Sequence, residues 1–191
     1  MQKKRCAWVN TDPLYISYHD QEWGTPIFDD QKLFEFLILE GMQAGLSWIT
    51  ILKKRENFRA ALDNFNAEKI ARYPASRINK LLDNPGIIRN RLKIESTVTN
   101  AKAYLAIIEQ YKTFSNYIWD FVDGKPIQNH WSYTQKLPAT TEISDQMSKE
   151  LKKRGFKFVG STICYAYMQA VGMVNDHSTD CFRYKELSTT A

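Results

Sequence analysis

The chain has 191 residues, 43% hydrophobic and 25% charged, and carries a net charge of +5. That length and apolar content suffice for one ordinary domain with its own core, and they exclude wholesale disorder. No run approaches the roughly 18 apolar residues of a membrane span. The basic start "MQKKRCAWVNTDP" has no apolar stretch behind it, so a soluble cytoplasmic protein with no membrane partner is expected.

A mild basic excess suits a polyanionic partner, and its arrangement says more than its total. Basic residues cluster in "ILKKRENFR", "IIRNRLK" and "LKKRGFKF". Each alone reads as a solvated helix face; three beside Gly, Asn or aromatic residues point to a phosphate-binding surface. The three cysteines, Cys6, Cys164 and Cys181, argue against a disulfide framework and leave metal binding or core packing.

In chain order, the N-terminal region concentrates the aromatics Trp8, Tyr15, Tyr18 and Trp23. Residues from Asp30 to about Leu62 have helical period, interrupted at Gly41 and Gly45, with Ser47 a candidate N-cap for a second helix at Trp48. Within "LFEFLILEGMQAGLSWITIL", Leu33, Leu37, Ala44, Trp48 and Ile51 share one side, and Glu40 falls in the middle of that stripe. An unpaired carboxylate there is expensive to bury. Helical period continues over Ala67–Pro74 and Ser76–Leu82. Asn84-Pro85-Gly86 forms a tight turn, and a long helix runs from Ile88 to Tyr111.

A shorter helix is expected over Phe114–Lys125, and a loop over Pro126–Thr141. "ISDQMSKELKKRG" reads as a helix capped by Ser144 and stopped by Gly155. "STICYAYMQAVG" reads as a helix capped by Ser161 and ended by Gly172, with Cys164 on its apolar side. The tail "ELSTTA" is expected to fray. The fold class expected is all-α, as one compact helical domain over residues 1–191.

Three constellations carry chemistry. His177 and Cys181 lie one helical turn apart in "NDHSTDC", and Cys6 with His19 completes a Cys2His2 set sufficient for tetrahedral zinc. Spacing alone leaves open that the two pairs never meet. If they do, the zinc is structural and closes a very long loop, with Asp20 and Asp176 as candidate partners for the adjacent histidines. His130 is assigned to a loop and Cys164 to the core. Second, "LLDNPGIIRNRLK" reads as helix, hairpin, helix. Gly86 permits an unusual backbone, the following amides open a helix N-terminus, and Arg89, Arg91 and Lys93 stand nearby, so a nucleic-acid backbone is the natural ligand. An ordinary basic αα-turn fits that stretch equally well. Third, Glu40 near Trp8, Tyr18 and Trp48 suits a flat amino-bearing heterocycle, although a buried glutamate satisfied by backbone amides or an arginine fits as well.

The stretches "CAWV", "DPLYISYHDQEWG", "LEGMQAGLSWITILKKRENFR", "GIIRNRLKI", "KKRGFKFVG" and "NDH", with Cys181 after it, resemble the type I DNA-3-methyladenine glycosylases, a branch of the helix-hairpin-helix superfamily. They span residue 6 to about 181. The resemblance implies a monofunctional enzyme that flips 3-methyladenine from duplex DNA and hydrolyses its N-glycosidic bond, leaving an abasic site. It implies that Glu40 reads the base and, with Tyr18, forms the catalytic pair, while Trp8, Tyr18 and Trp48 line the pocket. Cys6, His19, His177 and Cys181 would hold a structural zinc. The helix-hairpin-helix region would be about 76–111, with Pro85, Gly86, Ile87, Arg89, Arg91 and Lys93 facing DNA. Lys153, Arg154, Gly155 and Lys157 would make a second contact, and the protein would act as a monomer. Two departures from the wider superfamily stand out: Ile88 replaces a usual hairpin glycine, and no catalytic aspartate follows the hairpin, since Glu95 and Glu109 are not placed for it. Rival readings are a non-catalytic zinc-containing DNA-binding module, and a zinc hydrolase, which a closed four-ligand shell disfavours.

Overall fold

The computed structural model describes residues 3–188 and forms ten α-helices and one pair of two-residue strands among them. α1 (Pro13–Gln21) starts where Asp12 accepts a hydrogen bond from Leu14 N and Pro13 occupies the first turn, where it needs no N–H partner. It delivers Tyr18 and His19 to the interior. α2 (Asp30–Gln43) is capped by Asp29 on Lys32 N, and every residue from Leu33 to Met42 is buried. Gly41 does not break it. A Cβ there would lie 3.3 Å from Phe158 Cβ, so glycine lets the 155–160 segment pack against this helix.

The break comes at Gly45, with φ +77°. α3 (Trp48–Ala61) follows, but the Ser47 hydroxyl meets Thr50 Oγ1 at 2.8 Å and caps no backbone N–H. After α4 (Ala67–Ile70) and α5 (Ala75–Leu82), α6 (Arg91–Tyr111) begins three residues later than its apolar period predicts. Asn90 sets the start by accepting from Lys93 N. α7 (Phe114–Trp119) runs into a short 3-10 turn and stops at Asp123 and Gly124, both left-handed.

α8 (Glu142–Lys153) is capped by Thr141, not Ser144; Ser144 is the other half of a reciprocal capping box. α9 (Ser161–Ala170) starts from Gly160, not Ser161. α10 (Phe182–Ser188) turns half of the expected frayed tail into helix by burying Leu187; residues 189–191 lie outside the described residues.

The all-α expectation needs one correction. The 126–141 stretch contributes β1 (Ile127–Gln128), parallel to β2 (Val174–Asn175), and Trp131 bridges on to Ser178. Two residues are too few to show alternation in sequence. The fold is mostly helical, with α2 central and touching α3, α6, α7 and α9 around one core that reaches from Cys6 to Cys181. No helix of the described residues is long and apolar enough to cross a membrane.

Candidate functional site

Glu40 sits in the last turn of α2, only 2% exposed, and its Oε2 meets no hydrogen-bond partner among the described residues. Burial pushes its carboxyl up to about 8. The negative C-terminal end of the helix acts in the same direction. Tyr15 and Tyr18 from α1, Trp8 and Trp23 on either side of it, and Trp48 at the start of α3 surround the carboxyl. Gln43, Ala166, Gln169 and Leu137 complete a cavity of about 170 Å³.

The rings meet at steep angles. Trp8 lies 5.0 Å from both Tyr15 and Trp23, and Tyr18 lies 5.5 Å from Trp48. The indole N–H groups of Trp8 and Trp48 are buried and, like Glu40 Oε2, meet no partner among the described residues. Leaving three polar atoms unsatisfied is costly, so this cavity suits a flat guest with both donors and acceptors. Burial, and then the charges of Glu40 and Glu22, push Tyr18 well above its usual range. It is therefore a neutral hydroxyl here.

The structure brings Cys6, His19, His177 and Cys181 together, all buried, with their ligand atoms within 4.8 Å of one another. Bonds of about 2.0–2.3 Å would draw four such atoms into a tetrahedron roughly 3.3–3.8 Å on an edge, so the donor set fits a metal closely. The chemistry of the donors fits as well. His177 Nε2 is buried and unpartnered, and burial, then His19 and Arg183, lowers His177 to about 3, which keeps it neutral. The two thiols act on each other in opposite directions: the neighbouring Cys181 and then burial push Cys6 up, while the neighbouring Cys6 pulls Cys181 down.

Asp20 holds His19 Nδ1 at 2.8 Å, as expected for a partner behind a ligand. Asp176 does not do the same for His177. Asn175 Oδ1 takes that place at 3.0 Å, and Asp176 makes its hydrogen bonds elsewhere. Trp8 packs edge-on against His19 at 5.3 Å, so one indole belongs to both the cavity and the cluster.

Residues 83–90 join α5 to α6, over the stretch that the sequence reads as helix, hairpin, helix. Gly86 is not needed for its φ. A Cβ there would meet Asn84 Oδ1 at 3.0 Å and Asn57 Cγ at 3.1 Å, so its value is steric. Asn84 Oδ1 accepts from Gly86 N, and α3 holds the turn from behind through Lys54 on Pro85 O and Asn57 on Gly86 O. Pro85, Arg89 and Arg91 are exposed, whereas Ile87 is buried in the core.

Two basic residues expected to face nucleic acid have their side chains engaged within the fold. Lys93 is 6% exposed and donates to Met42 O and Ala44 O, the acceptors left free at the end of α2. Arg154 lies over the Tyr111 and Tyr117 rings and donates to Gln110 Oε1 and the Tyr111 hydroxyl. Lys153, Gly155 and Lys157 are exposed, and Asn100 pairs with both the N–H and the C=O of Lys157, so α6 anchors this second segment too.

Sequence reasoning passed over α1, although the Asp12-Pro13 pair marks its start. It also did not single out Leu46, 41% exposed in the loop between Glu40 and Trp48. Nor did it single out Gln43, Gln169 and Leu137.

A central helix carrying a buried carboxyl, a cage of aromatic rings and a closed Cys/His cluster joining the two chain ends define the class. The chain belongs to the methyladenine glycosylase family, whose profile matches residues 8–184. It is 54% identical over 177 residues to the DNA-3-methyladenine glycosylase of Haemophilus influenzae, covering 93% of this chain and 96% of that one. It is 50% identical over 181 residues to DNA-3-methyladenine glycosylase 1 of Escherichia coli, covering 95% and 97%. A crystal structure of a variant 3-methyladenine DNA glycosylase I in complex with 3-methyladenine superposes with a TM-score of 0.91 at 38% identity, covering 93% of this chain and 96% of that one.

Proposed function

We propose that this protein is a base-excision repair enzyme that extrudes 3-methyladenine from duplex DNA and hydrolyses its N-glycosidic bond. The observation that carries this reading is the buried, unpartnered carboxyl of Glu40 inside an aromatic cage, in a family whose relatives bear that activity in their names.

N3-methylation makes the purine a cation, so the bond to sugar is already weak. A carboxyl held neutral does not stabilise that positive ground state. As the bond breaks, the electron pair returns to the purine, its ring nitrogens become better acceptors, and an O–H donated by Glu40 strengthens. That is binding gained in the transition state. Tyr18 adds a second neutral hydroxyl to the cage, and Trp8 and Trp48 offer ring faces and N–H donors. A normal purine lacks the weakened bond and is released poorly.

The 83–90 turn with Arg89 and Arg91, and the segment with Lys153 and Lys157, serve as helix-hairpin-helix and secondary contacts to the DNA backbone. Leu46, exposed in the turn between α2 and α3, is the apolar side chain that this reading assigns to the gap left by the extruded base. Cys6, His19, His177 and Cys181 would hold zinc, which would supply stability by tying the chain ends, four protein donors being the set of a structural site. The cavity is complete within one chain, which supports a single glycosylase domain acting as a monomer.

The test is release of free base from methylated duplex DNA. Wild type should release 3-methyladenine selectively. Glu40→Ala should lose about a hundredfold or more, and Glu40→Gln, which keeps one donor, should lose less. No release from folded, zinc-loaded wild type would leave a DNA-binding scaffold.

A further inference from the structure

Asp176 is 2% exposed, and its four lone-pair positions each meet a side-chain donor. Oδ1 accepts from Asn129 Nδ2 at 2.6 Å and Trp131 Nε1 at 2.8 Å; Oδ2 accepts from the Tyr165 hydroxyl at 2.6 Å and Gln169 Nε2 at 2.7 Å. None of the four is a cation and none belongs to the Cys/His cluster. Such a network is expensive to build around an acidic side chain that only fills space.

The donors come from two segments that both reach the base cavity. Gln169 lines it from α9, and Asn129 and Trp131 belong to the segment that goes on to Leu137, which also lines it. A second cavity of about 200 Å³ lies against this segment, lined by Trp8, Trp131, Leu137 and Asp176 among others. Close packing does not clamp the segment there; backbone bonds of Asn129 and Trp131 to Asn175 and Thr179 hold it on one side, and the side-chain bonds to Asp176 add the tie toward α9.

We propose that Asp176 is a positioning residue of the base pocket: its carboxyl ties the Gln169 wall on α9 to the 129–137 wall that carries Leu137. It acts through those walls and touches neither the bound base nor the metal. The proposal rests on the cavity being the 3-methyladenine site. With both walls fixed before the base arrives, less ordering cost falls on binding. The amide of Gln169 is fixed in the same way: its nitrogen must face Asp176.

The experiment is calorimetric titration of free 3-methyladenine into zinc-loaded wild type, Asp176→Asn and Trp131→Phe, with bound zinc measured on the same samples. Asp176→Asn turns one acceptor atom into a donor facing donors, and should raise Kd about tenfold or more. Trp131→Phe removes a single donor from a half-buried ring and should raise Kd about threefold to tenfold. Bound zinc should equal wild type in both variants.

Base affinity equal to wild type in both, whatever happens to Tm, would make the network merely structural and overturn the proposal. Loss of zinc in step with loss of base affinity would overturn it too, by routing the effect through the cluster. If Asp176→Asn does not fold, Trp131→Phe decides. Wild type that fails to bind 3-methyladenine would remove the pocket reading and this proposal together, an outcome distinct from variants that bind as wild type does.

Discussion

Lys93 Nζ donates to Met42 O at 2.9 Å and Ala44 O at 2.6 Å, so the helix that begins at the basic turn closes the end of the helix that carries Glu40. The helix bearing Glu40 and the proposed DNA face are thus joined by one buried ammonium. Lys93→Met should cost about 1–3 kcal/mol in urea denaturation, the usual range for losing hydrogen bonds made by a charged group. It should leave the salt dependence of duplex binding unchanged. Arg89→Ala should do the reverse, lowering the slope of log affinity against log salt by about one with little effect on stability. A slope that moves for Lys93 and not for Arg89 would put the ammonium on phosphate.

Glu40 makes stability depend on pH with a definite sign. Its carboxyl has an ordinary value of 4.5 and is raised to about 8 in the fold. Below 4.5 both states are protonated and burial carries no ionisation penalty. Between 4.5 and 8 the unfolded chain releases a proton that the fold retains, so stability should fall as pH rises, by up to about 1.4 kcal/mol per pH unit. Glu40→Gln lacks this group. The stability gained by that substitution should therefore grow from pH 5 to pH 8 in paired urea titrations. A constant difference would mean that Glu40 ionises in the fold as it does in water.

The same proton should appear in the kinetics. If the neutral carboxyl is the working form, kcat/KM for base release falls as pH rises through about 8, because that ratio reports the free enzyme. Glu40→Gln should be flat over this range. Activity that climbs through pH 8 would identify the carboxylate as the active form.

Legibility in the sequence followed the length of each signal. Helical period over fourteen residues placed α2 and α3, and the misplaced Glu40 on α2's apolar stripe marked the cavity. The Cys/His cluster needed chemistry as well as spacing, because its two pairs come from opposite chain ends and nothing local says that they meet. What was missed lay in contacts. β1 and β2 are two residues each, and their pairing is long-range. Lys93 sits among exposed basic residues and differs from them only by where its helix packs. Asp176 adjoins a residue of the Cys/His cluster in sequence, yet its carboxyl points to donors from two other segments. Sequence adjacency suggested the wrong neighbour for it and the right one for Asp20.

Two glycines with nearly the same backbone separate strain from contact. Gly24 has φ +76° and Gly45 has φ +77°. Alanine at either should cost about 1–2 kcal/mol for a left-handed conformation. At Gly45 nothing lies within 4 Å of the added Cβ, so the cost ends there. At Gly24 the Cβ would lie 2.8 Å from His177 Cε1 and 3.1 Å from its Nδ1, so the ring must move off the position from which its Nε2 faces the cluster. Gly24→Ala should therefore surrender zinc to a competing chelator at least tenfold more readily than Gly45→Ala, in line with the losses seen when a ligand's support is disturbed. It should also show the larger drop in Tm, and the gap between the two variants should narrow once both have been stripped of metal. A gap that does not narrow would trace the whole defect to crowding by the added Cβ itself, against His177 and against Leu187 at 3.3 Å.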